Sequence, residues 1–338
     1  MEHNRVERVK LRNRILSTPL LRWAAFLLFN MPLVVDNPIY KYVYQRQINR
    51  VIGAYLGKPQ CVILEVANIC NLRCHNCTNK DMQRKRGFMA LDVYKKVIDE
   101  CVALGVDEVC ITGGEPTLHP QLIDQVTYAK TRGIKSLTII TNAQLLMPLL
   151  SEKLIKANLD ALDVSIDAAT PSTYSKMRPP GNLEIVEENL DVLIKLKSRL
   201  RTPLPRVTVK LIKESRNAGE VGLFRRKWNK KADEIFISFL HNWGGAINKK
   251  EPKWRGGTKR YPCSWIFRQT YICWDGRVSL CCLDSEVGTL LGDIKEMSIK
   301  DIWHSLKLQG IRQAHLDGNF NDLLLCSKCS FRDLWWLY

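Results

Sequence analysis

Carboxylates are the scarce charge in this 338-residue chain: 34 Asp and Glu stand against 51 Lys and Arg, for a formal charge of +17. Such a chain attracts anionic partners, whether nucleic acid, anionic lipid or a phosphorylated substrate, and charge alone does not choose among them. Long apolar runs are missing too. A spanning helix needs about 18 consecutive apolar residues, and the nearest stretch, 20–35, is broken by Arg22, Asn30 and Pro32, which excludes a transmembrane class. No collagen-like period, solenoid repeat or low-complexity tract occurs. With 46% apolar and 25% charged residues the composition is that of a folded domain, not a disordered chain. A secretory signal pattern is also absent, so the twelve cysteines predict reduced thiols in a cytoplasmic setting rather than a disulfide framework. Their spacing points to metal.

Residues 1–60 carry ten basic side chains against three acidic ones, interleaved with Leu20, Leu21, Trp23, Phe26, Leu27, Leu28 and Phe29. This is the pattern of a basic amphipathic helical arm, packed on the rest of the protein or, through 1–35, lying on an anionic membrane surface. From residue 62 an alternation sets in. Short β-branched runs at 62–66, 108–112, 136–141, 161–167, 206–212 and 234–239 are separated by helical patterns near 91–104, 119–132, 145–157, 184–200 and 217–230. Alternating strands and helices predict an α/β fold with parallel strands, and six of them predict a partial (β/α)6 barrel over 61–243. Ligands in such folds sit at the carboxyl ends of the strands. A Gly-, Lys-, Arg- and Pro-rich loop at 244–262 separates this domain from a cysteine-rich tail, so 244–338 is expected to form a second, small domain.

The first strand runs into Cys70-Asn71-Leu72-Arg73-Cys74-His75-Asn76-Cys77. One loop can wrap three thiolates around a [4Fe–4S] cluster, leaving the fourth iron open to a small molecule. The alternative is zinc, which in structural sites takes four protein ligands and gains nothing from an open position.

The spacing C-x3-C-x2-C after the first strand resembles that of the radical S-adenosylmethionine (SAM) superfamily. That resemblance implies that Cys70, Cys74 and Cys77 hold a cluster whose open iron chelates SAM. An electron from the cluster would cleave SAM, and the resulting 5′-deoxyadenosyl radical would take a hydrogen atom from substrate. Thr112-Gly113-Gly114-Glu115-Pro116, after the second strand, is similar to the family's GGEP motif, in which glycine backbone and Glu115 contact the methionine ammonium. Asn142, and Ser165 with Asp167, end the third and fourth strands, where the family places polar contacts to ribose and carboxylate; His75 is expected to pack on adenine. Each of these positions alone is equally well a turn or a helix cap. Cys61, Cys101 and Cys110 fall in strand or helix patterns and are expected as small buried apolar residues.

In the tail, Cys263, Cys281, Cys326 and Cys329 supply four ligands to one site, with Asp275-Gly276 turning a hairpin before Cys281. A zinc ribbon would use the same four thiols. With Leu291-Gly292-Asp293-Ile294 and Ile302-Trp303, the tail resembles the SPASM and twitch extensions of radical SAM enzymes. The shorter twitch form with one auxiliary cluster fits, because no cysteine follows Cys329. The resemblance therefore implies two [4Fe–4S] clusters, SAM and a reductant such as flavodoxin or ferredoxin. Cys273 and Cys282 are spare; Cys282 is a candidate hydrogen-atom donor to a substrate radical, the device of radical epimerases.

The expected reaction is oxidation or epimerisation of a sugar- or polyol-type small molecule, anionic or carrier-linked. Modification or carbon–carbon bond formation on a membrane lipid or headgroup, and modification of a peptide, are the alternatives. The end Trp335-Trp336-Leu337-Tyr338 differs from the Gly-Gly tail of the molybdenum-cofactor cyclase, which sets that reaction aside, and nucleic acid is not expected as a partner. Arg84, Lys85, Arg86, Lys249, Lys250, Lys253 and Arg255 either line the entrance to the site or form a solvated face.

Overall fold

The computed structural model describes residues 38–247 and 262–330. Residues 1–37, which include the candidate membrane segment 1–35, lie outside the described residues, as do Lys249, Lys250, Lys253, Arg255 and the C-terminal Trp335-Trp336-Leu337-Tyr338.

Helix α1 (Pro38–Tyr55) leads into strand β1 (Cys61–Ala67), and five further βα units follow: α2 (Leu91–Leu104), β2 (Glu108–Gly113), α3 (Leu122–Thr131), β3 (Ser136–Thr141), α4 (Pro148–Lys156), β4 (Ala161–Ser165), α5 (Pro171–Met177), α6 (Leu183–Arg199), β5 (Arg206–Lys213), α7 (Val221–Trp228) and β6 (Glu234–Phe239). All six strands are parallel, in the spatial order of the chain. Alternation within them sorts the side chains. In β2, Val109 and Ile111 are buried against the helices while Cys110 and Thr112 turn to the opposite, inner face. The helices answer with stripes at helical spacing, such as Tyr94, Val97, Ile98 and Cys101 of α2. The result is an open partial barrel in which the core lies between sheet and helices and the inner face lines a cavity.

Two features depart from expectation. Strand β4 stops at Ser165 rather than running to 167, because Ile166 and Asp167 both donate their N–H to Lys210 O and Asp167 adopts φ 63°, turning the chain out of the ladder. The tail also joins the sheet. Its strand β7 (Gln269–Ile272) pairs parallel with β1, Cys61 opposite Gln269, and β8 (Arg277–Ser279) and β9 (Leu290–Asp293) follow antiparallel, giving nine strands in the order β6-β5-β4-β3-β2-β1-β7-β8-β9. Helices α8 (Ile299–Trp303) and α9 (Leu306–Leu316) close the tail. Buried Trp303 donates its indole N–H to Tyr55 O and Leu56 O at the end of α1, and Ile48 of α1 is fully buried, so this part of the arm is packed on the protein. Among the described residues no helix is long and apolar enough to cross a membrane.

Candidate active site

A cavity of about 660 Å³ opens at the carboxyl ends of the strands, and Cys70, Cys74 and Cys77 line it together with Gly113, Gly114 and Glu115. The cysteine loop is held by its own backbone and by neighbours. Arg73 N–H donates to Pro179 O at 2.6 Å and His75 N–H to Met177 O at 2.8 Å, while Leu72 N–H and Asn79 N–H donate to Cys70 Sγ and Cys77 Sγ, each at 3.4 Å. Burial pushes the Cys70 thiol up to about 12 and Cys77 up to about 11, and it raises Cys74 against the pull of Arg178. Such thiols stay protonated in the bare protein, and a bound cation would deprotonate them.

The two glycines let this loop descend onto β2. Gly113 sits at φ 132°, and a Cβ there would stand 2.0 Å from Ala67 O; one on Gly114 would stand 2.2 Å from Ile69 O. Gly114 and Glu115 instead donate their N–H to those same two carbonyls. Glu115, 1% exposed, accepts at Oε1 from Thr117 N, Thr117 Oγ1 and Thr141 Oγ1, and at Oε2 from Asn142 N. Burial raises its carboxyl above the ordinary range, and these bonds oppose the shift. Asn142 Nδ2 reaches across to Asn71 Oδ1 at 2.8 Å, fastening the end of β3 to the cysteine loop.

Ser165 and Asp167 also line the cavity, as expected of strand-end residues. Asp167 is nevertheless committed within the protein: Oδ2 accepts from Arg178 Nε and Nη2 at 3.1 and 2.5 Å, Oδ1 from Ile212 N, and its carbonyl from Asn217 Nδ2. Arg178 escaped the sequence patterns, yet it is buried, lines the cavity and donates from Nη1 to Cys74 Sγ at 3.7 Å. Burial opposes its charge, and Asp167, Cys74 and Tyr174 outweigh that and raise its pKa. His75, half-buried in the loop, is not among the residues that line the cavity. Cys110, expected as a mere apolar filler, does line it.

The basic trio after the loop has duties of its own. Arg84 lines the cavity but is held in a buried two-pronged pair with Glu65 of β1, and Arg86 donates to Asn68 O and Asn79 O. Lys210 Nζ pairs with Asp163 at 2.5 Å, and Thr208, Glu234, Gln269 and Ser238 line the same cavity.

The tail gathers its four cysteines. Burial pushes Cys263 up to about 12, with Cys329 adding to it, and Cys281 is raised by burial and then by Cys282, Cys329 and Cys326. Among the described residues, no three of His, Cys, Asp or Glu close on a single metal ion. The thiols are unbridged; Cys70, Cys74 and Cys77 line one cavity, and Cys329 bears on both Cys263 and Cys281, with Cys326 beside Cys281, so a set of three and a set of four thiols are at hand for iron–sulfur clusters. Cys282 faces the same cavity as the first set.

Residues 64–215 match the sequence model of the radical SAM superfamily, and residues 263–330 that of an iron–sulfur cluster-binding domain, SPASM. A probable GTP 3′,8-cyclase of Methanococcus maripaludis is 31% identical over 134 residues, which cover 39% of this chain and 45% of that protein. The chain thus spans less than half the length of such relatives. A tungsten-containing aldehyde ferredoxin oxidoreductase cofactor-modifying protein of Pyrococcus furiosus is 24% identical over 315 residues, 80% of this chain and 87% of that one. Among solved structures, SuiB of Streptococcus suis bound to precursor peptide SuiA superposes with a TM-score of 0.65 at 15% identity, over 82% of this chain and 72% of its own. BtrN in complex with AdoMet and 2-DOIA gives 0.58 at 18% identity, over 80% and 92%. At these identities the likeness is one of fold.

Proposed function

Because this chain belongs to the radical SAM superfamily and carries a SPASM iron–sulfur domain behind the catalytic one, we propose that it oxidises or epimerises a hydroxylated small molecule of sugar or polyol type. Its cofactors are SAM and [4Fe–4S] clusters, which when bound supply hydrogen-atom abstraction from an unactivated C–H bond.

In this reading Cys70, Cys74 and Cys77 hold the radical cluster, and Cys263, Cys281, Cys326 and Cys329 hold an auxiliary one. The Gly113–Gly114 backbone and Glu115 receive the SAM ammonium: Oε1 of Glu115 already accepts three bonds, whereas Oε2 accepts one and keeps a lone pair to offer. Asn142 and Ser165 offer polar contacts beside it, and Asp167 acts by holding Arg178 against Cys74. Hydrogen bonds to the sulfurs tune a cluster's potential.

The observation that carries the substrate class is the polar lining of the cavity. Thr208, Ser238 and Gln269 present uncharged donors and acceptors; three of the four Lys and Arg side chains in the lining are matched by carboxylates in the pairs Lys210–Asp163, Arg84–Glu65 and Arg178–Asp167, and the fourth, Lys80, donates to His75 O. A chamber so balanced suits hydroxyl groups better than multiple negative charge, so in this reading an anionic carrier stays outside it. Cys282, in the cavity wall, is positioned to return a hydrogen atom if the product is an epimer.

The test is deuterium transfer. Reconstituted, reduced protein is given SAM and a panel of C-deuterated aminocyclitols and sugars; a polyol substrate puts deuterium into 5′-deoxyadenosine, and failure of every polyol while GTP or a peptide succeeds sinks the proposal. GTP belongs in the panel because GTP cyclases are among the relatives at 31% identity, and the C-terminal residues that set cyclisation aside lie outside the described residues.

A further inference from the structure

Strand β6 is followed by a short strap, residues 241–245, that touches both cysteine sets. Asn242 and Ser330 exchange two hydrogen bonds of 2.9 Å, Asn242 N–H to Ser330 Oγ and Ser330 N–H to Asn242 Oδ1, and Asn242 Nδ2 donates to Lys328 O at 2.7 Å. These bonds fasten the strap to the residues on either side of Cys329. One residue on, Trp243 donates its indole N–H to Asn76 O at 2.8 Å, between Cys74 and Cys77. Gly244, at φ 63°, brings the strap so close to the tail that a Cβ there would stand 2.2 Å from Leu325 Cδ1, beside Cys326. Trp243 itself sits at φ 50°, a conformation that non-glycine residues hold only when their surroundings impose it, and it lines the cavity.

We propose that Asn242 and Trp243 form a positioning link between the two cluster-binding loops, so that closure of Cys326 and Cys329 on the auxiliary cluster sets the placement of Cys74 and Cys77. The link rests on the two-cluster reading above. Neither side chain is a ligand, and neither reacts. Asn242 fixes where the strap begins relative to the tail, and Trp243 transfers that position to a main-chain carbonyl inside the radical-cluster loop. Outer-sphere contacts of this kind are worth about 10- to 100-fold in metal affinity or activity. They show as non-additivity when the two ends are perturbed together.

The experiment uses the full-length chain, reconstituted anaerobically, with iron and sulfide counts, EPR of the reduced protein with and without SAM, and melting of the apo protein. The variants are Trp243→Phe, Asn242→Ala, the double change Cys326→Ser with Cys329→Ser, and Trp243→Phe added to that double change. Wild type is expected to hold about eight irons. Trp243→Phe, which keeps the packing and removes only the N–H, is expected to hold the same iron and melt with wild type. Its SAM-bound radical-cluster signal should broaden, and dithionite-driven release of 5′-deoxyadenosine should fall about tenfold or more. The double serine change should disturb the radical-cluster signal in the same way, and adding Trp243→Phe to it should do nothing more. Eight irons with unaltered radical-cluster signals in Trp243→Phe and Asn242→Ala, or effects of the two ends that simply add, overturn the link while leaving two clusters standing. A wild-type chain that holds only about four irons overturns the two-cluster reading and the link with it.

Discussion

Asp167 and Arg178 are withdrawn from water together, so removing either alone leaves a charge stranded in the wall of the cavity. Asp167→Asn or Arg178→Met is expected to cost about 3–5 kcal/mol of stability, measured by denaturant unfolding of the apo protein, and the double replacement to cost clearly less than the sum of the two. A second expectation at this scale concerns Cys282: Cys282→Ala keeps iron content and hydrogen-atom abstraction, and if the enzyme is an epimerase it loses product while 5′-deoxyadenosine is still made. Unchanged product and stereochemistry would remove Cys282 from the reaction. The cysteines could be picked out of the sequence because their chemistry lies in local spacing, eight residues for the first set. Arg178 could not, since its thiol partner Cys74 lies 104 residues away. Arg84 was visible as a basic residue that could line the site, as it does, but its pairing was not, because its partner Glu65 lies in β1, inside a run of otherwise apolar residues.

Elements show the same division. The β-branched runs mark β3 and β6 at their observed bounds, 136–141 and 234–239, and the helical pattern marks α2 at 91–104. Helix α5 went unnoticed: it is seven residues long, too short for a helical period to declare itself, and is set up by contacts from elsewhere. Glu220 accepts from Ala169 N, Thr170 N, Thr170 Oγ1 and Thr173 Oγ1, anchoring the start of α5 and with it the segment between Asp167 and Arg178. Burial alone would raise its carboxyl, but these four bonds prevail and hold it below the ordinary 4.5. A carboxylate depressed in the folded state stabilises fully above the unfolded value and loses that contribution as pH falls through the folded one. Melting temperature should therefore drop more steeply below about pH 4.5 in wild type than in Glu220→Gln, and parallel curves would contradict this. At the end of β2, Gly113→Ala places a methyl group against Ala67 O and is expected to abolish the SAM-induced change in the cluster's EPR signal while iron is still bound.

At the scale of the molecule, the tail that the loop at 244–262 sets off in sequence continues the sheet of the barrel through β7. A linker's composition says how a chain travels and is silent about the strand it comes back to. The pairing of β7 with β1 supplies a clear expectation: a fragment ending at residue 247 leaves the β1 edge bare, so it should aggregate or melt well below the full chain, as light scattering and thermal unfolding would reveal. A fragment that stays monomeric and melts like the full chain would show the tail to be dispensable for the barrel.

The place of β7 also bears on how the protein is made. Trp274 N–H is bonded to Glu65 across 209 residues, and β1, which precedes the other described strands, gains its outer neighbour β7 only after the rest of the barrel has been synthesised. Contacts of such separation are slow to form and expose an unpaired edge meanwhile. Mature packing around the cysteine loop is therefore a late event, completed after translation of β7, and iron delivered to a nascent chain would meet Cys70, Cys74 and Cys77 before the wall that shelters them exists.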